Sequence, residues 1–270
     1  QGCTNLNIVV IRPNGQPEIL RIFNHNAQNT YHEQSVLKVV SETIPVPSVA
    51  KVVKYKGFTY AIHSNIAGIL LSDMVLSREE AVYDIMVEVG SIIGKLSLLS
   101  CPDSLPEYNH QLQWPDYIDR IIQNKSLNRT QCKEWSAIIK DNLELLDTKH
   151  YTLVHGDFDP SNILVANTNS TWHISGVLDW EFAHRGNIMR DIAHMLRYRR
   201  EVTPSFTKGF IEGVSEHVVL PQNWKQIVDM HNVLALLDSL AYRTDAQSQP
   251  KRYQDILSLL SRLRTKASNY

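Results

Sequence analysis

Between Leu153 and Val165 the chain reads Leu-Val-His-Gly-Asp-Phe-Asp-Pro-Ser-Asn-Ile-Leu-Val. An apolar β-type run leads into a turn at His155-Gly156-Asp157. An Asn follows at position 162, and a second apolar run starts at once. A third run, Ile174-Ser175-Gly176-Val177-Leu178, ends on Asp179. Short apolar runs bounded by Gly, Asp, Pro and Asn read as strands joined by tight connections. Few chains could carry this pattern without placing Asp157, Asn162 and Asp179 at or just beyond strand ends.

Phosphoryl transfer needs such a set: one carboxylate to orient a hydroxyl, and an amide with a second carboxylate to hold Mg²⁺ on nucleotide phosphates. The kinase spacing His-x-Asp-x-x-x-x-Asn followed by a later metal-binding Asp fits these residues. With Leu178-Asp179-Trp180-Glu181 and Gly186 to Asp191-Ile192-Ala193, the chain resembles the aminoglycoside phosphotransferase and choline kinase-like family. The resemblance covers nearly all of the 270 residues. It implies a protein-kinase-like α+β fold with a small β-rich N-lobe and a larger helical C-lobe. The expected bounds are 1–67 for the N-lobe and 68–270 for the C-lobe.

The walk along the chain agrees. Leu6 to Ile11 and Ile19 to Phe23 are strand-like and flank Pro13-Asn14-Gly15, a hairpin signal. Thr30 to Glu42 reads as a helix, with Val36, Leu37 and Val40 on one face. Val49 to Tyr55 and Phe58 to His63 read as strands around Lys56-Gly57. Ser77-Arg78-Glu79-Glu80 has the form of a capping box opening the helix that carries Val82, Ile85, Met86 and Val89. Further helices are expected at 116–122, 131–146, 188–199, 205–213, 222–242 and 250–263.

The resemblance implies roles residue by residue. Asp157 would be the catalytic carboxylate, and Asn162 and Asp179 the Mg²⁺ ligands. His155 and Asp191 would brace the catalytic loop. Arg21 stands where relatives place a phosphate-binding Lys, or often Arg, and Glu33 would pair with it. Thr30-Tyr31-His32-Glu33 also matches a capping box, in which Glu33 would only cap its own helix. Ser64, Asn65 and Ile66 would meet the nucleotide base, with Leu164, Leu178, Val9 and Ile19 as apolar walls. Asp159, Trp180 and Glu181 are the candidates for holding the acceptor, Trp180 as a cation-binding face. Gly2-Cys3-Thr4-Asn5 resembles the tail of the family's nucleotide loop. Because the chain opens there, an N-terminal segment is expected to precede it.

The implied reaction is Mg²⁺-dependent transfer of the γ-phosphate of ATP or GTP to a hydroxyl of a small molecule. The acceptor could be an aminoglycoside-like antibiotic, an amino alcohol or a sugar. Two rivals remain: a non-catalytic nucleotide-binding pseudokinase, and a kinase acting on protein. No Asp-Phe-Gly or Ala-Pro-Glu landmark appears, which argues against the second. His155, Asp157, Asp159, Asp179, His184 and His194 could suggest a metallohydrolase, but zinc spacings are missing. A Gly-x-Ser-x-Gly elbow is missing too.

Bulk properties narrow the partners. The formal net charge is −1, so nothing electrostatic favours nucleic acid or an anionic membrane. Three scattered cysteines and no evident leader suggest a reduced, cytoplasmic setting. From Glu201 onward, seven acidic residues face eight basic ones. A pocket for a polycation would call for an acidic excess.

Overall fold

The computed structural model describes residues 5–23, 27–77, 81–102, 105–107, 110–124, 126–146, 151–198, 201–242 and 249–265. Strands β1 (Asn5–Ile11) and β2 (Pro17–Phe23) form a hairpin, with Gly15 at φ +84° in its turn. Helix α1 (Ala27–Val40) follows, then β3 (Val49–Tyr55) and β4 (Phe58–Ser64). Lys56 and Gly57 both take positive φ in the β3–β4 turn, the geometry a tight hairpin demands. The sheet order is β1-β2-β4-β3, all antiparallel. Register places Val9, Ile19 and His63 side by side, and Arg21 beside Ala61, so these side chains share one face.

After Ser64 the chain leaves this sheet. Strand β5 (Ile69–Leu70) pairs instead with β7 (Ile163–Thr168), which pairs with β8 (Thr171–Val177). A two-stranded ribbon joins β6 (Thr152–Val154) to β9 (His184–Gly186). Around these lie α2 (Leu71–Ser77), α3 (Val82–Leu98), α4 (His110–Gln123), α5 (Arg129–Asp141), α6 (Met189–Met195), α7 (Pro204–Ser215), α8 (Trp224–Tyr242) and α9 (Gln249–Arg264). The arrangement is the expected α+β kinase-like one. Among the described residues no helix is long and apolar enough to cross a membrane.

One apolar core runs from Val36, Leu37 and Val40 on α1 through α3 to Phe158, Trp180 and Phe210. It joins the α1 side of the first sheet to the catalytic strands. A second core gathers α4, α5, α8 and α9 around Trp135, Ile139, Leu237 and Leu260.

Helices α3 and α7 touch backbone to backbone. A Cβ on Gly90 would collide with the Phe210 carbonyl, and one on Gly213 with the Val87 carbonyl. Glycine is required there by space.

Several local expectations are corrected. Thr30 lies inside α1, so the capping-box reading of Glu33 does not hold. Ser77 ends α2, and α3 starts after Ala81 with no side-chain cap; residues 78–80 lie outside the described set. Helix α4 starts at His110, ahead of the expected 116, and carries Pro115 within it. Helix α6 stops at Met195, short of the expected 199, because Leu196 leaves helical geometry at φ −95°, ψ 9°.

Candidate active site

The site is built around the loop that follows β6. His155, at its start, is fully buried. Its ring lies 4.5 Å from the Trp180 ring and edge-on to Phe158. The His155 Nε2 lies 2.8 Å from the Leu178 carbonyl, which can only accept, so Nε2 carries the proton. That leaves Nδ1 to accept from the Asp157 amide at 3.2 Å. Burial lowers the His155 pKa, with Asp191 and the Leu178 carbonyl opposing. A neutral imidazole with both nitrogens hydrogen-bonded is suited to bracing the loop.

Asp191, in the first turn of α6, completes the support. Its Oδ2 accepts from the His155 amide at 2.7 Å and its Oδ1 from the Gly156 amide at 2.9 Å. Gly156 has φ +86°, and a Cβ there would strike the Phe182 carbonyl. The loop therefore turns where only glycine fits.

The Asp157 carboxylate emerges half-exposed from this frame, with 44% of its side chain accessible. Asn162 donates Nδ2 to the Asp157 carboxylate at 3.0 Å and to its carbonyl at 2.9 Å. Burial raises the Asp157 pKa, and the neighbouring carboxylates of Asp159 and Asp179 add to the rise, against Asn162 and Arg197. A raised pKa makes a carboxylate a better proton acceptor. His194 Nδ1 stands 3.7 Å from Asp157 Oδ1.

Asp179 follows β8 in the left-handed region, φ +65° and ψ +57°, which Asp tolerates better than most residues. Its side chain keeps 30% exposure, and one oxygen lies 2.6 Å from Arg21 Nη2. Arg21 also reaches Glu33 Oε1 at 3.1 Å and Glu181 Oε1 at 3.3 Å. Burial works against the Arg21 charge, but the three carboxylates prevail and its pKa is raised. Glu33 shows the converse: burial pushes it up to about 7 although Arg21 pulls it down. Helix α1 supplies Glu33 and contacts the turn after Asp179, where His32 Nε2 lies 2.7 Å from the Ala183 carbonyl.

The donor set suits Mg²⁺. Asn162 spends its amide nitrogen on Asp157, which leaves its Oδ1 as the oxygen for a cation. The second Asp179 oxygen has no hydrogen-bond partner among the described residues. Two oxygens that leave room for phosphates are what this hard cation takes at nucleotide sites. Among the described residues no three His, Cys, Asp or Glu side chains form a metal cluster.

Other expected residues fall elsewhere. Trp180 is fully buried, its Nε1 bonded to the Val177 carbonyl, so it offers no face to an acceptor. Glu181 is buried against Arg21. Asp159 Oδ1 caps the turn Pro160–Asn162 through the Ser161 amide and hydroxyl. The Ser64 amide is spent on Ser48, which leaves the backbone of Asn65 and Ile66, outside every strand pairing, for a base. Ile66 covers Gly176, while Leu164 and Leu178 are half-buried beside the catalytic turn. Gly2, Cys3 and Thr4 lie outside the described residues.

His63 was not anticipated. It is buried at the end of β4 beside Arg21's face, its Nε2 has no hydrogen-bond partner, and burial lowers its pKa to about 4. The signal was its alternation with Ala61 on an inward face.

The sequence profile of the phosphotransferase enzyme family (APH) matches residues 1–227. No curated protein sequence matches significantly. Among solved structures, the GDP complex of wild-type aminoglycoside 2'-phosphotransferase-IIIa is 16% identical with a TM-score of 0.73, covering 97% of this chain and 91% of that one. A thermostable mutant of aminoglycoside phosphotransferase APH(4)-Ia, in complex with AMP-PNP and hygromycin B, is 18% identical with a TM-score of 0.69 over 100% and 93%. Choline kinase from Cryptosporidium parvum Iowa II is 15% identical with a TM-score of 0.65 over 98% and 88%. These likenesses reach the whole two-lobed fold, and with the profile spanning most of its length the chain belongs to the phosphotransferase enzyme family.

Proposed function

We propose that the protein transfers the γ-phosphate of ATP or GTP to a hydroxyl of a small molecule, with Mg²⁺. The observation that carries this is the joint geometry of Asp157, Asn162 and Asp179 on one loop system, facing an Arg21 held by Glu33. Asp157 accepts the hydroxyl's hydrogen bond and takes its proton. The acceptor oxygen bonds to the γ-phosphorus, the bond to the β–γ bridging oxygen breaks, and nucleoside diphosphate leaves. Asn162 and Asp179 hold the metal, which neutralises charge on the phosphates. Arg21 steadies the phosphates through its fork. Asn65 and Ile66 offer backbone groups to the base, and Val9 and Ile19 share Arg21's face as its apolar cover. The two neighbours solved with GDP and with AMP-PNP support a nucleotide donor.

The test is nucleoside diphosphate release with Mg²⁺, using ATP and GTP, over aminoglycosides, amino alcohols, sugars and hydroxy acids. Acceptor-dependent release lost in Asp157→Ala supports the reading. Nucleotide binding without transfer to any acceptor would favour a non-catalytic module. Transfer to protein alone would favour a protein kinase.

A further inference from the structure

Helix α6 meets the catalytic loop with one face. Asp191 and His194 are three residues apart on it, so their side chains lie one turn apart on the same side. Asp191 holds the backbone amides of His155 and Gly156. His194 takes the next residue along: its Nδ1 lies 3.7 Å from Asp157 Oδ1. One turn of helix thus meets three successive residues of the loop. The helix is itself tied down. Asn232, buried on α8, donates Nδ2 to the Ala193 carbonyl at 2.9 Å and accepts from Arg197 Nε at 3.2 Å. The backbone just before His194 is therefore set by α8. His194 is 8% exposed, and close packing leaves its ring little freedom.

A carboxylate on a single methylene swings about two torsions. Asn162 restrains that of Asp157 through Oδ2 at 3.0 Å. Among the described residues, the side chain facing Oδ1 is His194. Asp159 and Asp179 both press negative charge on Asp157, and a donor at Oδ1 opposes the swing they favour. An ionised carboxylate oxygen only accepts, so a ring nitrogen turned to it carries a proton, here at Nδ1. The 3.7 Å separation is longer than a hydrogen bond, and a small turn of the Asp157 side chain closes it. Contacts of this kind are often long before substrate binds and shorten in the reacting complex. His194 is not the base. Asp157 keeps 44% of its side chain open to an incoming hydroxyl, whereas His194 Nε2 is sealed from solvent, so a proton handed to the ring has no onward route to water.

We propose that His194 is a positioning residue for Asp157: its Nδ1–H takes Oδ1 while Asn162 takes Oδ2, and the two fix the plane of the carboxylate. The inference rests on the kinase reading above. Each carboxylate oxygen accepts two hydrogen bonds, so a place stays open for the acceptor hydroxyl. A group that acts only through Asp157 changes the rate of the transfer step and leaves both substrate affinities alone.

The experiment uses the whole chain with Mg²⁺ and whichever nucleotide and acceptor turn over best. His194→Leu removes the donor and should lower kcat by about ten- to hundred-fold, the size of a misplaced reacting group, with acceptor KM and nucleotide affinity within about two-fold. His194→Asn puts an amide N–H near where Nδ1 stood and should bring kcat back to within about three-fold of the parent. A kcat unchanged in His194→Leu overturns the proposal. So does a His194→Asn variant as slow as His194→Leu, or a loss that falls on KM instead of kcat. A second measurement needs neither turnover nor a folded Leu variant. In the chain labelled with ¹⁵N-histidine at about pH 8, above the ordinary histidine range, the His194 ring signal, identified by its loss in His194→Asn, should report a proton on Nδ1. That signal should move toward the Nε2–H form in Asp157→Ala. A bare Nδ1 in the parent protein, or a signal indifferent to Asp157→Ala, overturns the proposal. Nucleotide binding with no transfer to any acceptor would overturn the kinase reading instead, and the ring signal would still decide whether His194 holds Asp157.

Discussion

Arg21 on β2 and Asp179 after β8 are 158 residues apart in sequence and 2.6 Å apart in space. Arg21 brings Glu33 and Glu181 into the same contact. One guanidinium thus ties the first sheet to α1 and to the catalytic turn. Arg21→Lys keeps the charge but loses the fork that serves three carboxylates at once. Nucleotide affinity should fall about ten-fold, and the melting temperature should drop by a few degrees. Titration with a non-hydrolysable nucleotide analogue and a thermal scan check both. Unchanged affinity would remove Arg21 from the phosphate site.

Asp157→Asn keeps the volume and removes the proton acceptor. Turnover should fall by about 10²- to 10⁴-fold, the span of general-base effects, with nucleotide affinity within about two-fold of the parent. Single-turnover kinetics and a binding titration separate the two. A turnover loss below five-fold, roughly 1 kcal/mol, would move the proton transfer elsewhere.

Gly90→Ala should destabilise the protein by about 1 to 3 kcal/mol, since the added methyl must displace the Phe210 carbonyl across the α3–α7 contact. Gly213→Ala, facing Val87, should do the same. The helix propensity of Ala works the other way by about 1 kcal/mol. Urea denaturation of the two variants is the measurement, and a stabilised Gly90→Ala would refute the contact.

Three buried histidines set the acid response. Burial lowers His63 to about 4, and His184 and His231 to about 3. Their folded pKa values lie below the usual histidine value, so the unfolded chain binds more protons below about pH 6.5. Stability is present above that pH and is lost as pH falls toward 4 and 3. Glu33, pushed up to about 7, acts in the opposite sense between about pH 4.5 and 7. His231→Leu should flatten the acid slope by about 1 kcal/mol per pH unit between pH 6 and 5. Denaturant midpoints across that range test it, and an unchanged slope would mean that His231 does not remain neutral.

His63→Leu should change the preference between ATP and GTP by about five-fold or more, because the unpartnered Nε2 sits at the end of β4, beside Asn65 and Ile66. Competition titrations of the two nucleotides measure it. An identical ratio in the variant would place His63 out of reach of the base.

The motif from Leu153 to Asp179 was legible because its meaning is local: strand, turn and strand fall within one short stretch, and the turn residues announce themselves. The β-β-α-β-β order was legible for the same reason, through alternation and the Asn14-Gly15 and Lys56-Gly57 turns. Trp180 was misplaced because an aromatic beside two acids looks like a surface cage. In the fold, the left-handed step at Asp179 turns the indole inward onto His155. Glu181 then lands against Arg21, a partner 160 positions earlier that no local pattern names. The α3–α7 contact was missed although Gly90 and Gly94, like Gly209 and Gly213, recur at one-turn spacing. That spacing was visible, but the partner helix was not. The near-even count of charges after Glu201 argued against an acidic pocket for a polycation, though local clustering could overrule the count. Which of those charges would neutralise each other depends on how α6, α8 and α9 meet, and a tally holds no such information.

Asp191 binds two successive amides with its two oxygens, and none of these atoms can reach water. The loop therefore has no half-formed state of tolerable energy: releasing either amide strands a charge and a donor together. Damage at Asp191 should appear as a smaller fraction of competent molecules, each turning over at the normal rate, and not as a uniformly slower enzyme. Active-site titration and steady-state kinetics would then disagree, and the gap between them would count the molecules whose catalytic loop never closed.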